Sequence, residues 1–349
     1  MRIGMQLDYS GGFAEAVEQL RDLEHAGLDM VFVAEAYSFD AVSQLGYIAA
    51  KTDRLEIASG ILPIYSRTPT LTAMTAAGLD HVSGGRFTLG LGASGPQVVE
   101  GFHGLPYTAP LGRTREVVEI CRSVWRRERV IHQGRHYRIP LPADQGTGLG
   151  KPLKLINHPI RDRIPVMLAA IGPKNVALAA ELAEVWEPIF FHPDKAAEVF
   201  GPSLAEGRAK RDAELGPLQI HVDVPTAIGG DVGDALDAVR ARLALYIGGM
   251  GAQGKNFYND LACRYGYAGT AELVQKLYLA GRKDEAAAVL PEEFVRALCL
   301  VGSADEVGER LARYAGAGVT SLSITPVGKA AVDQTERVRL VETMAGLVS

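Results

Sequence analysis

Cysteine is scarce in this chain: Cys121, Cys263 and Cys299 are the only three in 349 residues. Their odd number leaves no full disulfide pairing and their spacing matches no metal site, so a reduced, cytoplasmic chain without a bound metal is expected. No apolar run approaches the ~18 residues that a membrane-spanning helix needs. No basic segment followed by an apolar one opens the sequence either, so neither export nor membrane insertion is expected. Positive charge is also short: 36 Lys and Arg stand against 41 Asp and Glu, a net charge of -5. The one dense cationic group, residues 122–129, has the spacing of a helix face with Trp125 inside it, which gives a nucleic-acid partner little support. No Ser, His and Asp arrangement stands out, so hydrolytic chemistry has no positive support, and an oxidoreductase would need a bound cofactor to carry its reaction.

What the chain does have is apolar residues, 47% of the total against 22% charged, in a repeating order. Short apolar runs at 3–7, 30–34, 55–60, 87–91, 166–170, 188–191, 220–227 and 321–325 read as strands, several of them apolar throughout, as parallel strands covered on both faces are. Between them lie helical patterns at 13–25, 41–51, 70–82, 115–125, 175–183, 195–212, 305–315 and 338–347, with residues 298–301 as an accessory strand. Eight alternating units fit a closed (β/α)8 TIM barrel better than an open sheet. The expected organisation is one domain over 1–349. Two insertions interrupt it, at about 129–165, containing a hairpin that turns near Gln133 and Gly134, and at about 232–290, mostly helical.

The most informative stretch is 83–97, Ser-Gly-Gly-Arg-Phe-Thr-Leu-Gly-Leu-Gly-Ala-Ser-Gly-Pro-Gln. A turn leads into a short strand that empties into a loop of small residues, where backbone amides can approach a ligand closely. Gly90, Gly92 and Gly95 satisfy the dinucleotide G-x-G-x-x-G pattern. A dinucleotide fold, however, needs an acidic residue about 20 positions on at a strand end, where this chain starts a helix. In a barrel the ligand lies at the strand C-terminal ends. Asp80, His81, Ser83, Gly84, Gly85 and Arg86 precede a strand and belong to the stability face. The strand-end candidates are Asp8, Glu35, Ser59, Gly60, Ser94, Gln97, Gly172 and His192. Gly172, Pro173, Lys174 and Asn175 open a helix after a strand, and a helix start with proline in its first turn leaves free amides for an anion. From these residues alone, an ordinary Gly-Pro helix start is the competing reading. Glu35 ends an apolar strand as an acid, a base or a polar anchor, or as a carboxylate bonded to neighbouring loops. His192 is either a pocket-rim or a structural residue.

Together, these motifs resemble the luciferase-like monooxygenase superfamily, most closely its branch dependent on the deazaflavin coenzyme F420. The resemblance rests on residues 29–40, 55–61, 83–104 and 302–307, with Tyr137 and its hairpin and residues 146–159, and spans essentially the whole chain. It implies a barrel oxidoreductase with F420 across the strand ends and hydride transferred between deazaflavin C5 and a small organic substrate, in a cytoplasmic homodimer. A non-prolyl cis peptide is implied on the third strand at Ser59–Gly60 or Gly60–Ile61, with Gly60–Ile61 favoured. By the same matching Ser59, Gly60, Ile61, Ala93, Ser94 and Gln97 border the cofactor, Gly172, Pro173, Lys174 and Asn175 receive its phosphate, and Glu35 is a polar active-site residue near the ring.

The chain also departs from the family pattern. Glu184 and Val185 precede Trp186 where relatives often carry Asp-Gly, and Ala36 and Tyr37 stand where the sugar-phosphate dehydrogenases of this branch have histidine and tryptophan. The loop 246–266, with Lys255, Asn256, Tyr258 and Arg264, is a candidate cover for the substrate. Two alternatives stay open: an FMN-dependent monooxygenase served by a separate reductase, and a flavin- or deazaflavin-binding protein without catalysis.

Overall fold

The computed structural model describes residues 1–7, 12–251 and 253–348; Asp8 lies outside them. Eight parallel strands close on themselves: β1 (Arg2–Gln6), β2 (Met30–Val33), β3 (Glu56–Ser59), β4 (Phe87–Gly92), β5 (Val166–Ala169), β6 (Val185–Glu187), β7 (Gln219–Ile228) and β8 (Ser321–Pro326). Each pairs with the next, β6 with the start of β7, and β8 with β1. Leu300–Gly302 adds to the far end of β7 outside the ring, the accessory place that the sequence pattern assigns to it. The helices that matter for the site are α1 (Ala41–Lys51), α2 (Pro69–Val82), α3 (Pro110–Trp125), α4 (Pro173–Leu182), α5 (Ala196–Arg208) and α6 (Val232–Ala244).

Three details differ from the sequence reading. The strand expected at 188–191 lies three residues earlier, as β6. Trp186 is fully buried on the helix side and donates its indole N–H to the Ala170 carbonyl at 2.8 Å, while the apolar Phe190 and Phe191 leave the ladder and pack on Phe200 and Tyr246. The helix expected over 13–25 is interrupted at Gln19. A helix of six residues, Pro96–Gly101, directly follows the small-residue loop.

Inward-facing positions follow from the strand alternation. Phe32, Ala58 and Met167 pack together inside the barrel with Met30 and Val185, and Phe32 stacks on His221 at 4.5 Å between ring centroids. Gly4 makes room for this plug, since a Cβ there would lie 2.6 Å from the Phe32 ring. The plug sets the floor of the barrel, and the next inward residues upward form its mouth.

Candidate active site

The mouth begins where β3 leaves its ladder with β4. After Ala58 pairs with Thr88, pairing resumes only at Leu62 with Leu91, and between them the Gly60–Ile61 peptide is cis, the bond that the resemblance favours. Ser59 fills the gap in the ladder: its hydroxyl donates to the Gly90 carbonyl and accepts the Gly90 N–H, both at 2.8 Å. Its side chain is therefore spent on the scaffold, and only its backbone is left for a ligand. Gly90 has to be glycine, because a Cβ would sit 1.8 Å from the Ser59 carbonyl oxygen. Gly60 donates its N–H to the Val33 carbonyl at 2.8 Å, and the Glu35 N–H donates to the Ile61 carbonyl at 3.2 Å, so the end of β2 braces the bulge.

Glu35 is an anchor in this geometry. Its carboxylate takes a two-point pair from Arg67, at 2.5 and 2.8 Å. It also accepts the Ala41 N–H at the start of α1 at 3.0 Å. Both oxygens are committed, and the pair holds Arg67 above the ordinary arginine range, chiefly through the hydrogen bonds it donates to Glu35. Such a bidentate, largely enclosed pair fixes two loops against each other.

After β4, Ala93 and Ser94 lie partly buried in the loop, with Ser94 at φ 57°, while Gln97 is exposed on the short helix. Tyr107 donates to the Ser94 carbonyl at 3.3 Å. Tyr37 and Phe102, both largely exposed, approach each other at 6.3 Å from the loops after β2 and β4 and give the rim an aromatic character.

The anion candidate is a true helix start. Gly172 is the N-cap of α4, Pro173 opens the helix, and no side chain caps it. The first intrahelical bond runs from the Val176 N–H to the Gly172 carbonyl, which leaves the amides of Lys174 and Asn175 ahead of it. The Lys174 side chain is exposed and borders an outer groove of about 230 Å³ with Arg115, Glu181 and Lys210. Arg264 donates Nη2 to the Ile171 carbonyl at 2.6 Å, while its Nη1 is buried with no partner among the described residues. Other members of the loop 246–266 are structural. Asn256 caps the helix that follows it and bonds the Tyr246 and Ile247 carbonyls, and Tyr258 packs against Phe190 and Tyr246. His192 is buried against Tyr265 at 5.4 Å, and burial pushes its imidazole below the ordinary range.

Two acids at the mouth escape the sequence reading. Val185 points into the barrel plug, so Glu187, two residues on, faces inward at the end of β6, beside Ala169. His221 stacks inside the barrel, so Asp223, two residues on in β7, also faces inward. Asp223 accepts from Thr325 and from Arg242 of α6, each at 2.5 Å. Glu187 is partly buried and its carboxyl makes no hydrogen bond or ion pair among the described residues. Burial first, and the Asp223 carboxylate second, push its carboxyl up to about 8. The signal was Glu187 two positions from an inward Val185, visible only once the strand is placed at 185–187.

Residues 1–321 match the family profile described as luciferase-like monooxygenase. The chain is 44% identical, over 93% of its length and 95% of the relative's, to the Mycobacterium tuberculosis protein named "Putative coenzyme F420-dependent oxidoreductase Rv3520c". It is 26% identical to the 5,10-methylenetetrahydromethanopterin reductase of Archaeoglobus fulgidus, covering 98% of this chain and 97% of that one. Among solved structures, the coenzyme F420-dependent tetrahydromethanopterin reductase of Methanopyrus kandleri superposes with a TM-score of 0.80 at 21% identity, over 99% of this chain and 97% of the other.

Proposed function

The chain belongs to the luciferase-like monooxygenase family and is within it a coenzyme F420-dependent oxidoreductase, and we propose that it passes hydride between deazaflavin C5 and a small organic molecule at the barrel mouth. The observation that carries this reading is a shelf of small residues leading to an uncapped helix start. Gly60, Gly92 and Ala169 line one side of the mouth, where a Cβ at Gly92 would be 2.9 Å from the Ile61 side chain and 3.7 Å from the Ala169 methyl, so Ile61 supplies the apolar surface of the shelf. A flat ring fits such a shelf. The free amides of Lys174 and Asn175, with the unpartnered Nη1 of Arg264 near Ile171, fit a phosphate at its end.

A bound deazaflavin supplies two-electron hydride chemistry. The chain's own work is to bind, orient and exclude. The Ile61 bulge, braced by Val33 and Glu35, backs the ring, and Ala93, Ser94 and Gln97 border the ring or its side chain. The Glu35–Arg67 pair ties the end of β2 to the segment after Ile61. No helix among the described residues is long and apolar enough to cross a membrane.

Fluorescence titration of the purified protein with oxidised F420 and with FMN, side by side, tests this reading. F420 is expected to bind the more tightly. Gly172→Phe sharpens the test, because a Cβ at Gly172 meets nothing within 4 Å and its φ of -73° suits any residue. The ring would enter the anion site without disturbing the fold, and F420 affinity should fall at least tenfold, about 1.4 kcal/mol. Preference for FMN with oxygen-dependent turnover would overturn the deazaflavin reading, and unchanged affinity in Gly172→Phe would remove the phosphate assignment.

A further inference from the structure

Resting on the hydride-transfer reading above, we propose that Glu187 is the catalytic residue that gives and takes the proton of the reaction, and that the substrate is a neutral carbonyl compound reduced to its alcohol. The placement carries the argument. Gly60, Gly92 and Ala169, with the Ile61 side chain over Gly92, form an apolar shelf, and the next inward residue around the ring after Ala169 is Glu187. It is thus the first functional side chain at the edge of the space that a flat cofactor would occupy. On its other side stands Asp223, whose oxygens are engaged by Thr325 and Arg242.

Burial and the facing Asp223 carboxylate favour the neutral form of Glu187. Asp223 is the acid that faces it from β7, and the Arg242 cation is held on Asp223 rather than on Glu187. β5 presents Ala169 on the near side. Below lies His221, buried, hydrogen-bonded to Ser321 and pushed down to about 4 by burial, hence neutral. A carboxyl beside a fixed carboxylate, with no cation of its own, keeps its proton. It differs in this from Glu35, which holds a guanidinium on both oxygens.

A protonated carboxyl at this edge is a donor aimed at a developing alkoxide. In the reducing direction hydride adds to the carbonyl carbon, the π pair moves to oxygen, and that oxygen takes the Glu187 proton. The C5–H bond of the reduced deazaflavin breaks as the hydride leaves and its ring-nitrogen proton goes to solvent, so the products are an alcohol, oxidised deazaflavin and the Glu187 carboxylate, which regains a proton from solvent. Two acids side by side also disfavour a carboxylate or phosphate on the substrate next to the reacting atom, which is why the carbonyl compound is assigned as neutral.

The test compares wild type with Glu187→Gln, of nearly equal size, and Glu187→Asp. Infrared difference spectra of the cofactor-free protein across a pH step from about 6 to 9 should show a protonated carboxyl band disappearing in wild type, absent in Glu187→Gln. F420 affinity should stay within twofold in both variants. With reduced F420 and cyclohexanone or butanal as probes, Glu187→Gln should lose at least 100-fold in kcat, Glu187→Asp less. The wild-type loss of rate above about pH 8 should vanish in Glu187→Gln. A missing carboxyl band in wild type, a Glu187→Gln rate within a few-fold of wild type, or an F420-loaded wild type that turns over neither probe would each overturn the proposal. Failure of wild type to bind F420 would instead overturn the cofactor reading, and the infrared band would report on the Glu187 proton independently.

Discussion

At the end of the barrel where the strands begin, acids are tied down. Asp80, 1% exposed at its side chain, is held at two points by Arg161, which also donates to the Phe87 carbonyl at 2.7 Å. Glu24 accepts the amides of Arg54 and Leu55, Asp29 that of Ile3, and Arg86 donates to the carbonyls of Ala49, Thr52, Leu55 and Ser83. At the other end Glu187 is unpaired, the Arg264 Nη1 is an orphan, and α4 starts without a cap. Both ends are built from the same strands, so the contrast is one of assignment: the polar groups named at the first end complete the fold, while at the second, beside the paired Glu35 and Asp223, Glu187, the Arg264 Nη1 and the first amides of α4 are left for something that is not part of the chain. Unsatisfied polar groups cost stability wherever they are buried, and a ligand at the mouth would repay that cost for Arg264 Nη1.

The contrast breaks most visibly at the stability end. Asp80→Ala leaves the Arg161 guanidinium without its carboxylate and uncovers a buried site, and orphaning one partner of such a pair costs roughly 3 kcal/mol. Urea denaturation should report that loss, while F420 affinity at low urea stays within twofold of wild type. Affinity falling in step with stability would mean that the two ends are not independent.

A smaller effect sharpens the same contrast through pH. The Glu187 carboxyl stands at about 8 in the folded chain against 4.5 in an unperturbed one. Below the lower value both states hold the proton. Between the two values the unfolded chain has released it and the folded chain has not, so stability falls as pH rises across this window and levels off above it. His221 works in the opposite sense. At about 4 in the folded chain against 6.5 unperturbed, it costs stability as pH falls through that range, because the unfolded chain takes the proton first. Above pH 6.5 only the Glu187 slope remains of these two. Glu187→Gln should flatten it by on the order of 2 kcal/mol between about pH 6.5 and 8, measured as denaturation midpoints across a pH series.

The barrel was legible because fully covered parallel strands announce themselves as apolar runs, and turns and helix starts carry their own residues. The same rule misplaced β6. Pro188, Ile189, Phe190 and Phe191 form a more apolar run than Val185, Trp186 and Glu187, but hydrophobicity reports burial rather than membership of a ladder. Phe190 adopts φ 54° and buries itself in the aromatic cluster beside the strand instead. Displacing the strand by three residues hid Glu187, since a carboxylate ahead of an expected strand reads as a solvated residue on the stability face. The start of α4 was legible from its local motif, and the Gly60–Ile61 bulge only through the family resemblance. The pairing of Glu35 with Arg67, 32 residues on, and the reach of Arg264 across 93 residues to Ile171 were not, because only the closed fold brings such partners together.

The smallest expected effect bears on Arg264, which belongs to both ends of the comparison at once. Its Nη2 completes the Ile171 carbonyl, a structural bond, and its plane lies over the Phe200 ring at 5.8 Å, while Nη1 is left without a partner. A residue that served the fold alone would lose stability on Arg264→Met and leave cofactor binding untouched. A residue held ready for the phosphate would lose both, with F420 affinity down roughly tenfold, about 1.4 kcal/mol, as expected for one hydrogen bond to a charged group. Arg264→Lys separates charge from geometry. A lysine keeps the positive charge and cannot hold the carbonyl and a phosphate oxygen with one rigid fork, so an intermediate affinity whose remainder is screened by salt would assign the charge to the ligand and the fork to the scaffold.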